Sequence, residues 1–466
     1  MELNKYQQEL FDKQRPVIEN YGKSTWGWTI FFLLWIIVGG YALYLQIAVG
    51  HVVTGMRDNV VWGLYIANFI FFIGISYAGA VISGILHILQ VEWRKPIIRI
   101  AEMITVVSTI IGPIFILLCI GRLDRLHHLF LYPRLQSPIT WDVFAIGTYF
   151  SGSVIFLYLA LIKDFAIYRD ARLNIPKWKQ KMYKILAIGY RGTPSQKKHI
   201  KISTNLMAIM IVPLAIIVHS VLSWIFGMTL RPGWHSTIFG PYFVLAAIYS
   251  GTGVLIMSMW VYRKMYKLES YLTDKHFIYL GYIMMVLGAA YGYFTFSEYL
   301  TDWFSSEKWN SEVIEKLFNP AKYGWWFLFA NVAGILLPVL VVAIPKTRTP
   351  NLIAFVSFFM VIALWIKRYL IIVPTLESPL LPMQDTRMEY VKYSATWVEW
   401  ALTLAGVAAF FLFFTLLSKF VPIIPISEFG DKEKVIVKID PEIVPVTDPV
   451  KESEIKITKK TEIVPA

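Results

Sequence analysis

Cysteine is almost absent from this sequence, which has one, Cys119, among its 466 residues. A single thiol excludes a disulfide within the chain, a cysteine-ligated iron–sulfur cluster and the C-x-x-C-H attachment of a c-type haem. Histidine is also scarce, and only His87 and His219 lie well inside apolar runs, at what we predict to be different depths. We therefore expect no haem, iron–sulfur cluster or metal in this chain, since His127 and His128 alone do not form a metal-ligand pattern. Electron chemistry that needs such a centre belongs to another polypeptide.

Charged residues are the second shortage. They make up 16% of the chain, whereas hydrophobic residues make up 56% and the mean hydropathy is +0.55; soluble domains carry about 25% charged residues. The apolar residues gather into runs of about 20 or more, the length at which a helix crosses roughly 30 Å of hydrocarbon. The sequence therefore predicts an all-α integral membrane protein with about ten transmembrane helices. We place them near residues 25–49, 60–90, 97–120, 139–162, 203–230, 237–262, 276–300, 323–344, 351–373 and 395–418.

Basic residues are divided unevenly between the two ends of these spans. Of the 44 Lys and Arg, 32 fall on the side of the N-terminus, which also holds the segment 163–202 and the C-terminal tail, and 12 fall on the opposite side. Because positive loops stay inside, this predicts a multi-pass protein of the cytoplasmic membrane with both termini in the cytoplasm. The formal net charge of +13 is then a consequence of topology. We expect contact with membrane lipids and no nucleic-acid partner.

A weak internal similarity suggests how the spans are grouped. Tyr77-Ala78-Gly79 recurs as Tyr249-Ser250-Gly251 four spans later, and small residues are common where membrane helices pack closely. We interpret this as two four-helix bundles with flanking helices and an extended C-terminal arm, a small β element being the alternative for that arm. The predicted divisions are a cytoplasmic N-terminal segment (1–24), the first transmembrane helix and its loop (25–59), a first bundle (60–230) that includes the basic cytoplasmic loop 163–202, a second bundle (231–373), the last transmembrane helix with an outer loop (374–418) and the cytoplasmic tail (419–466).

Ionisable residues inside the spans are costly and suggest function. Arg122 and Asp142 flank the third loop and are candidates for it, although residues at span ends also cap helices or reach the membrane surface. The deeper residues have structural alternatives too. His219 could form a hydrogen bond to a facing helix, and Glu298 and Glu399 could form buried salt bridges with Arg368 or Lys367. A proton-handling role is the sharper hypothesis, because a buried carboxylate tends to exchange protons near neutral pH. The deeper set is Glu102, His219, Glu298, Arg368 and Glu399.

Several stretches resemble one known family. They are PGWHSTIFGPYFVLAAIYSG at 232–251, SPITWDVFAIGTYF at 137–150, IGRL at 120–123 and ATWVEW at 395–400. They are similar to the polysulfide reductase membrane-subunit (NrfD-like or PsrC-like) superfamily over roughly residues 25–420, and most of all to the ten-helix members of alternative complex III and of sulfur-respiration complexes. The resemblance implies two four-helix bundles that bind a quinone, menaquinone-like or other, near the outer face without a redox cofactor of their own. It also implies partners on that face, namely an iron–sulfur subunit and a large molybdopterin-type or cytochrome subunit.

The resemblance assigns roles to individual residues. Asp142 would contact the quinone headgroup with Arg122 close by, and Tyr132 and Trp141 would belong to the same site. His219, Glu298, Arg368 and Glu399 match polar positions of the family for which a proton route has been proposed. One departure concerns Cys119, which stands where alternative complex III members usually have a histidine. Either His127 or His128 then supplies the imidazole, or the quinone is held differently.

Two functions of other classes fit part of this pattern. A secondary transporter or ion pump also has repeated bundles and buried charges, but it would favour a matched pair of discontinuous helices, and the sequence has no such pair. A cofactor-free membrane anchor would not need the intramembrane charges. The leading prediction is a quinone-reactive membrane subunit of a respiratory oxidoreductase, with proton translocation as a further property.

Overall fold

The computed structural model describes residues 3–171, 173–380 and 391–429. These residues form an all-helical structure, as the composition predicts. Sixteen α-helices follow one another along the described chain. They are α1 (Lys5–Glu19), α2 (Lys23–Val49), α3 (Leu64–Ile75), α4 (Gly84–Ile88), α5 (Lys95–Cys119), α6 (His128–Leu131), α7 (Pro138–Asp170), α8 (Lys177–Leu186), α9 (Pro194–Gly227), α10 (Phe239–Met265), α11 (Asp274–Ser305), α12 (Lys308–Phe318), α13 (Gly324–Asn331), α14 (Leu337–Ala343), α15 (Pro350–Leu376) and α16 (Trp397–Phe420).

Ten helical segments in the described residues are long and apolar enough to cross a membrane, which confirms the predicted number. Eight of them are the single helices α2, α5, α7, α9, α10, α11, α15 and α16. The other two are composite, because a π-helical stretch joins α3 to α4 at Ala78–Ser83 and another joins α13 to α14 at Val332–Leu336. Both composite spans remain helical throughout, so the chain crosses without an unwound segment there.

Glycine allows the closest helix contacts, and it does so at the two repeated tripeptides. A Cβ on Gly79 would collide with Ala101 and Thr105 of α5, and a Cβ on Gly251 would lie 2.7 Å from the backbone nitrogen of Ala78. The two tripeptides therefore lie against each other, with the second half of the chain packed directly on the π-helical stretch of the first. Such close backbone approach is the usual reason for small residues in membrane helices.

The spans contact one another in two successive sets. The α3–α4 span, α5, α7 and α9 pack in sequence, and α4 also contacts α9; α10, α11, the α13–α14 span and α15 pack in the same manner. Helices α2 and α16 form a pair beside the first set. Because α10 also packs on α3, α5 and α9, the two sets are not separate bodies, and the division into two four-helix bundles stays a prediction.

Both ends of the described chain lie on the same side of the spans, which we call the terminus side. Gln14 of α1 exchanges hydrogen bonds with the backbone of Ile424, at 2.9 and 3.0 Å. Lys179 of α8 donates to the backbone carbonyls of Ile18 and Lys419 at 2.8 and 2.7 Å. An even number of spans requires this arrangement. The face that holds the loops 50–63, 120–137, 228–238 and 306–323 and the described segments 377–380 and 391–396 is called the opposite side below.

The basic loop predicted at 163–202 is shorter in the structure. Helix α7 continues to Asp170, and α9 already begins at Pro194. The start of α9 is set by a capping box in which Thr193 and Gln196 bond reciprocally, with Pro194 at the first helical position, a favourable helix start. Between these helices the basic residues lie mainly on α8. The predicted arm in the C-terminal tail falls outside the described residues.

Candidate functional site

Asp142 is a buried carboxylate on the opposite side. It lies in the second turn of α7, which begins at Pro138. Only 5% of its surface is exposed, and its Oδ1 atom makes no hydrogen bond within the described residues. Because a buried acceptor without a partner is costly, this atom is suited to accept a hydrogen bond from a bound ligand.

The loop before α7 holds most of the other residues predicted for this site, namely Arg122, His127, His128 and Tyr132, and the structure leaves them at the surface. Arg122 binds Asp124 through two hydrogen bonds of 2.9 and 2.7 Å, and these bonds lower the pKa of Asp124 to about 2. The guanidinium is thus paired locally, with 64% of its side chain exposed, and no contact with Asp142 occurs. The sequence did not indicate this pairing.

The aromatic residues of the same loop form a surface cluster. The rings of His127 and His128 lie 4.4 Å apart, and His128 contacts the ring of Tyr132 at 5.6 Å. The Trp141 indole donates to the carbonyl of Leu135 and so ties the loop to the first turns of α7. Both imidazoles and the phenol are exposed. The structure therefore places these residues on the same side as Asp142 but not in contact with it.

A polar network missed by sequence reasoning lies beside Cys119. Gln46 of α2 donates to the carbonyl of Leu118 at 2.8 Å and accepts from the hydroxyl of Tyr65 at 2.7 Å. Gln46 and Tyr65 are both buried. Uncharged polar residues in an apolar run gave no functional signal, and the sequence alone does not show that α2, α3 and α5 meet at this point.

Glu399 connects the outer loops to the start of α16. Its carboxylate accepts hydrogen bonds from the Tyr393 hydroxyl, from the Gly55 amide at 2.7 Å and from the Thr396 amide at 3.0 Å. The Tyr393 amide donates to Glu377 at 2.8 Å. Every polar atom of Glu399 is thus bonded, and its side chain is fully buried. These contacts give Glu399 a structural function, and the predicted proton-handling role stays a prediction.

The family motif at 232–251 anchors the loop between α9 and α10. The indole of Trp234 donates to the carbonyl of Ile371 at 2.7 Å, and its ring packs on Phe226 and Trp62. Gly233 has φ +75°, a left-handed conformation that favours glycine. The motif therefore joins both halves of the chain on the opposite side.

His219 and Arg368 line one small cavity between the two sets of spans, together with Lys367, Tyr242 and Tyr291. Arg368 donates to the carbonyl of Ala246 at 3.2 Å and to Ser250 Oγ at 3.0 Å, and no carboxylate pairs with it in the described part of the chain. Neither ring nitrogen of His219 has a hydrogen-bond partner among the described residues. The cavity is large enough for about one water molecule, which would satisfy that imidazole.

Glu298 and Lys367 lie nearer the opposite side. Glu298 accepts from Ser236 Oγ at 2.9 Å through one oxygen, while its other oxygen has no partner in the described structure. Lys367 donates to the Tyr299 hydroxyl at 2.7 Å and lies over the rings of Tyr299 and Phe327. The salt bridges considered from sequence, between Glu298 or Glu399 and Lys367 or Arg368, do not occur among the described residues.

Glu102 lies at the other end, toward the terminus side. It is buried one helical turn after Arg99, and its Oε2 atom has no partner in the described residues. Arg99 binds Asp164 of α7 at 2.9 Å, and both side chains are buried. Asp164 also accepts from the Ser427 amide at 3.0 Å. The sequence does not indicate this pair, because Asp164 falls in the segment predicted as the basic loop and Arg99 lies near the start of a predicted span.

No group of three or more His, Cys, Asp or Glu side chains suited to a metal ion occurs in the described ranges. We expect the purified chain to lack the visible absorbance of a haem or an iron–sulfur cluster. A reduced-minus-oxidised spectrum of this chain, separated from its partners, is the measurement. A b-type α band in that spectrum would contradict the prediction.

Comparisons with known proteins agree on one family. Residues 52–378 match the family described as polysulphide reductase, NrfD. The membrane subunit of a putative dimethyl sulfoxide reductase of Halobacterium salinarum is 28% identical over 245 residues, which are 52% of this chain and 53% of that protein. This match spans about half the length of the halobacterial protein.

Two further relatives match over nearly their whole length. One subunit of the selenate reductase of Mesobacillus selenatarsenatis is 23% identical, with 83% of this chain and 92% of that protein covered. An Hdr-like menaquinol oxidoreductase integral membrane subunit of Archaeoglobus fulgidus is 24% identical, with 83% and 91% covered. The similarity therefore extends across most of the membrane-spanning region.

Proposed function

This chain belongs to the NrfD polysulphide reductase family, and from that membership we propose that it is the quinone-reactive membrane subunit of a multi-subunit oxidoreductase. Its relatives support this proposal, since their names describe subunits of reductases and of a menaquinol oxidoreductase. Electrons pass between a quinone in the membrane and an iron–sulfur subunit on the opposite side. The complex also contains a large molybdopterin-type or cytochrome subunit.

The observation that carries the proposal is the buried oxygen of Asp142, which has no partner among the described residues. When a quinol gives up two electrons, its two hydroxyl groups lose two protons, and each proton needs an acceptor. Asp142 accepts one of them, and His127 or His128 accepts the other. Arg122 and Tyr132 of the neighbouring loop and Trp141 in the first turns of α7 complete the site around the headgroup. In the reverse direction the same groups supply the protons.

The proposed site requires that the loop 120–137 close over Asp142. In the structure Arg122 is paired with Asp124 and the two imidazoles are exposed. Docking of the iron–sulfur subunit on this face supplies the closing contact, because it covers the exposed aromatic cluster. Partner binding and quinone binding are then coupled.

We propose in addition that electron transfer drives protons across the membrane along buried polar residues of both sets of spans. The proposed route runs from Glu102 on the terminus side past His219 and Arg368 to Glu298, with Glu399 buried on the opposite side. It is supported by the polar atoms of Glu102, His219 and Glu298 that have no partner in the described structure, because groups with free lone pairs can exchange protons through intervening water.

Replacing Glu298 by Gln is expected to abolish proton translocation while quinone-linked electron transfer stays within about twofold. The amide keeps an acceptor for Ser236 but cannot carry a proton as a carboxyl group does. Proton movement per electron is measured in proteoliposomes that hold the complete complex and a pH-sensitive dye. Glu315→Gln, an exposed residue on the same side, is the control. An unchanged ratio of protons to electrons in the Glu298 variant would remove this residue from the route.

We further propose that the terminus side faces the cytoplasm. The division of Lys and Arg supports this orientation. A reporter fused after residue 466 and another inserted between residues 187 and 193 are both expected to read cytoplasmic. A reporter in the loop 50–63 is expected to read external. An external C-terminal fusion would contradict the orientation.

A further inference from the structure

A second cavity, of about 180 Å³, lies on the terminus side, where the short linker between α4 and α5 meets α7 and α9. Four cations line it, namely Arg94, Lys95, Lys163 and Lys201, with the two carboxylates Glu92 and Glu428. Glu92 lies 3.0 Å from Lys95 and neutralises it. The lining therefore keeps an excess of positive charge.

Arg94 is the cation of this cavity whose position is fixed by buried hydrogen bonds. Its side chain is 8% exposed, and its Nη1 donates to His87 Nδ1 at 2.7 Å. His87 in turn donates from Nε2 to Asn205 Oδ1 at 2.7 Å, so this chain of bonds holds the guanidinium in place. Arg94 Nε has no hydrogen-bond partner, and no carboxylate forms an ion pair with Arg94, within the described residues. A buried cation without an anion is unfavourable, and an anionic ligand in the cavity would remove that cost.

The surroundings of the cavity are those of a membrane surface. Its lining includes the apolar side chains of Leu159 and Ile200. Leu89, next to the lining residue Gln90, and Ile202, next to Lys201, are 66% and 54% exposed. The N-terminus of α5 also borders the cavity at Lys95 and adds partial positive charge. A basic pocket with an apolar rim, located between spans, suits a phosphate group that carries hydrocarbon chains.

We propose that this cavity is a binding site for a phosphate group, with Arg94, Lys163 and Lys201 as its cationic ligands. A phospholipid headgroup or a soluble phosphate compound supplies this chemistry. The site lies on the side away from Asp142 and is independent of the proposed quinone reaction.

The test uses the purified full-length chain, stripped of lipid in a neutral detergent. Phosphatidylglycerol, phosphatidylcholine with the same acyl chains, and inorganic phosphate are each titrated. Thermal unfolding is followed by tryptophan fluorescence, and bound lipid is counted by native mass spectrometry. We expect phosphatidylglycerol to bind and to raise the unfolding temperature. The double variant Lys163→Gln/Lys201→Gln should bind phosphatidylglycerol about 30-fold more weakly, since each basic residue near an anionic lipid surface strengthens binding about fivefold.

The control is Lys181→Gln/Lys184→Gln on α8, which removes the same charge from exposed positions on the same side. This control variant should bind phosphatidylglycerol as the unmodified chain does. Lys163→Arg/Lys201→Arg should also retain binding, which distinguishes the loss of a cationic ligand from misfolding of the variant. Protection by phosphatidylglycerol alone identifies a lipid headgroup, whereas equal protection by inorganic phosphate identifies a soluble ligand, and either result supports the phosphate site. Because phosphatidylcholine also carries a phosphodiester, its equal binding would assign the site to the phosphate itself rather than to net negative charge. The absence of binding by phosphatidylglycerol and by inorganic phosphate, or equal weakening in the α8 control, would overturn the proposal.

Discussion

Asp142→Asn is expected to lower quinone-linked turnover of the assembled complex by about 100-fold or more, the usual contribution of a positioned acid–base group. Asparagine keeps the shape of the side chain and an oxygen that accepts a hydrogen bond, but it cannot take up the proton of a quinol hydroxyl. Asp142 is buried, and its free oxygen has no partner in the described residues. The substitution therefore removes no contact on which the described fold depends.

The measurement compares two electron routes in the same preparation. Turnover with a quinone substrate is set against turnover with an artificial mediator that reaches the peripheral subunits without the membrane step. We expect the first to fall and the second to stay unchanged. Asp58→Asn is the matched control, because it makes the same replacement at an exposed position on the same side. Equal loss by both routes, or no loss by either, would remove Asp142 from the quinone site.

The sequence predicts only part of this site. The ten spans followed from run length alone, because every backbone group in hydrocarbon must be bonded within a helix. The sequence placed Asp142 at the start of a span, after Ser137-Pro138, but its burial is seen only in the structure. The pairing of Arg122 with Asp124 did not, since a loop side chain chooses among several nearby partners and only the folded loop selects one.

The contacts that the sequence does not predict share a different cause. Gln46 and Tyr65 become a network only when α2, α3 and α5 meet. Glu399 becomes a connector only when Gly55, which is 344 positions away in sequence, lies at the start of α16. A one-dimensional pattern contains the polarity of such residues but not their neighbours. The sequence thus predicts how deep in the membrane a polar residue lies, whereas only the structure identifies its hydrogen-bond partner.

The buried pair Arg99–Asp164 leads to the largest expected effect on stability. Arg99→Met is expected to destabilise the chain by roughly 3–5 kcal/mol, because it leaves the carboxylate of Asp164 buried without its cation. Arg99 Nη2 and Asp164 Oδ2 lie 2.9 Å apart, and both side chains are buried. The free energy of unfolding is measured by SDS titration in mixed micelles, with far-UV circular dichroism as the signal.

A double variant distinguishes the loss of the Arg99–Asp164 ion pair from the loss of side-chain packing as the cause of the destabilisation. Asp164→Asn removes the unpaired charge and keeps an oxygen for the Ser427 amide, which donates to this residue at 3.0 Å. Arg99→Met/Asp164→Asn should therefore be more stable than Arg99→Met alone, a sign opposite to that of two independent losses. Arg122→Met in the exposed pair with Asp124 is the control and should not change stability measurably, since exposed ion pairs contribute little. If the double variant were less stable than the single one, the cost would come from packing, and Asp164 would be a neutral acid that does not need Arg99. In that case Asp164 would join Glu102 as a candidate proton carrier on the terminus side, because a neutral buried acid can release a proton, whereas a carboxylate held by a guanidinium stays ionised.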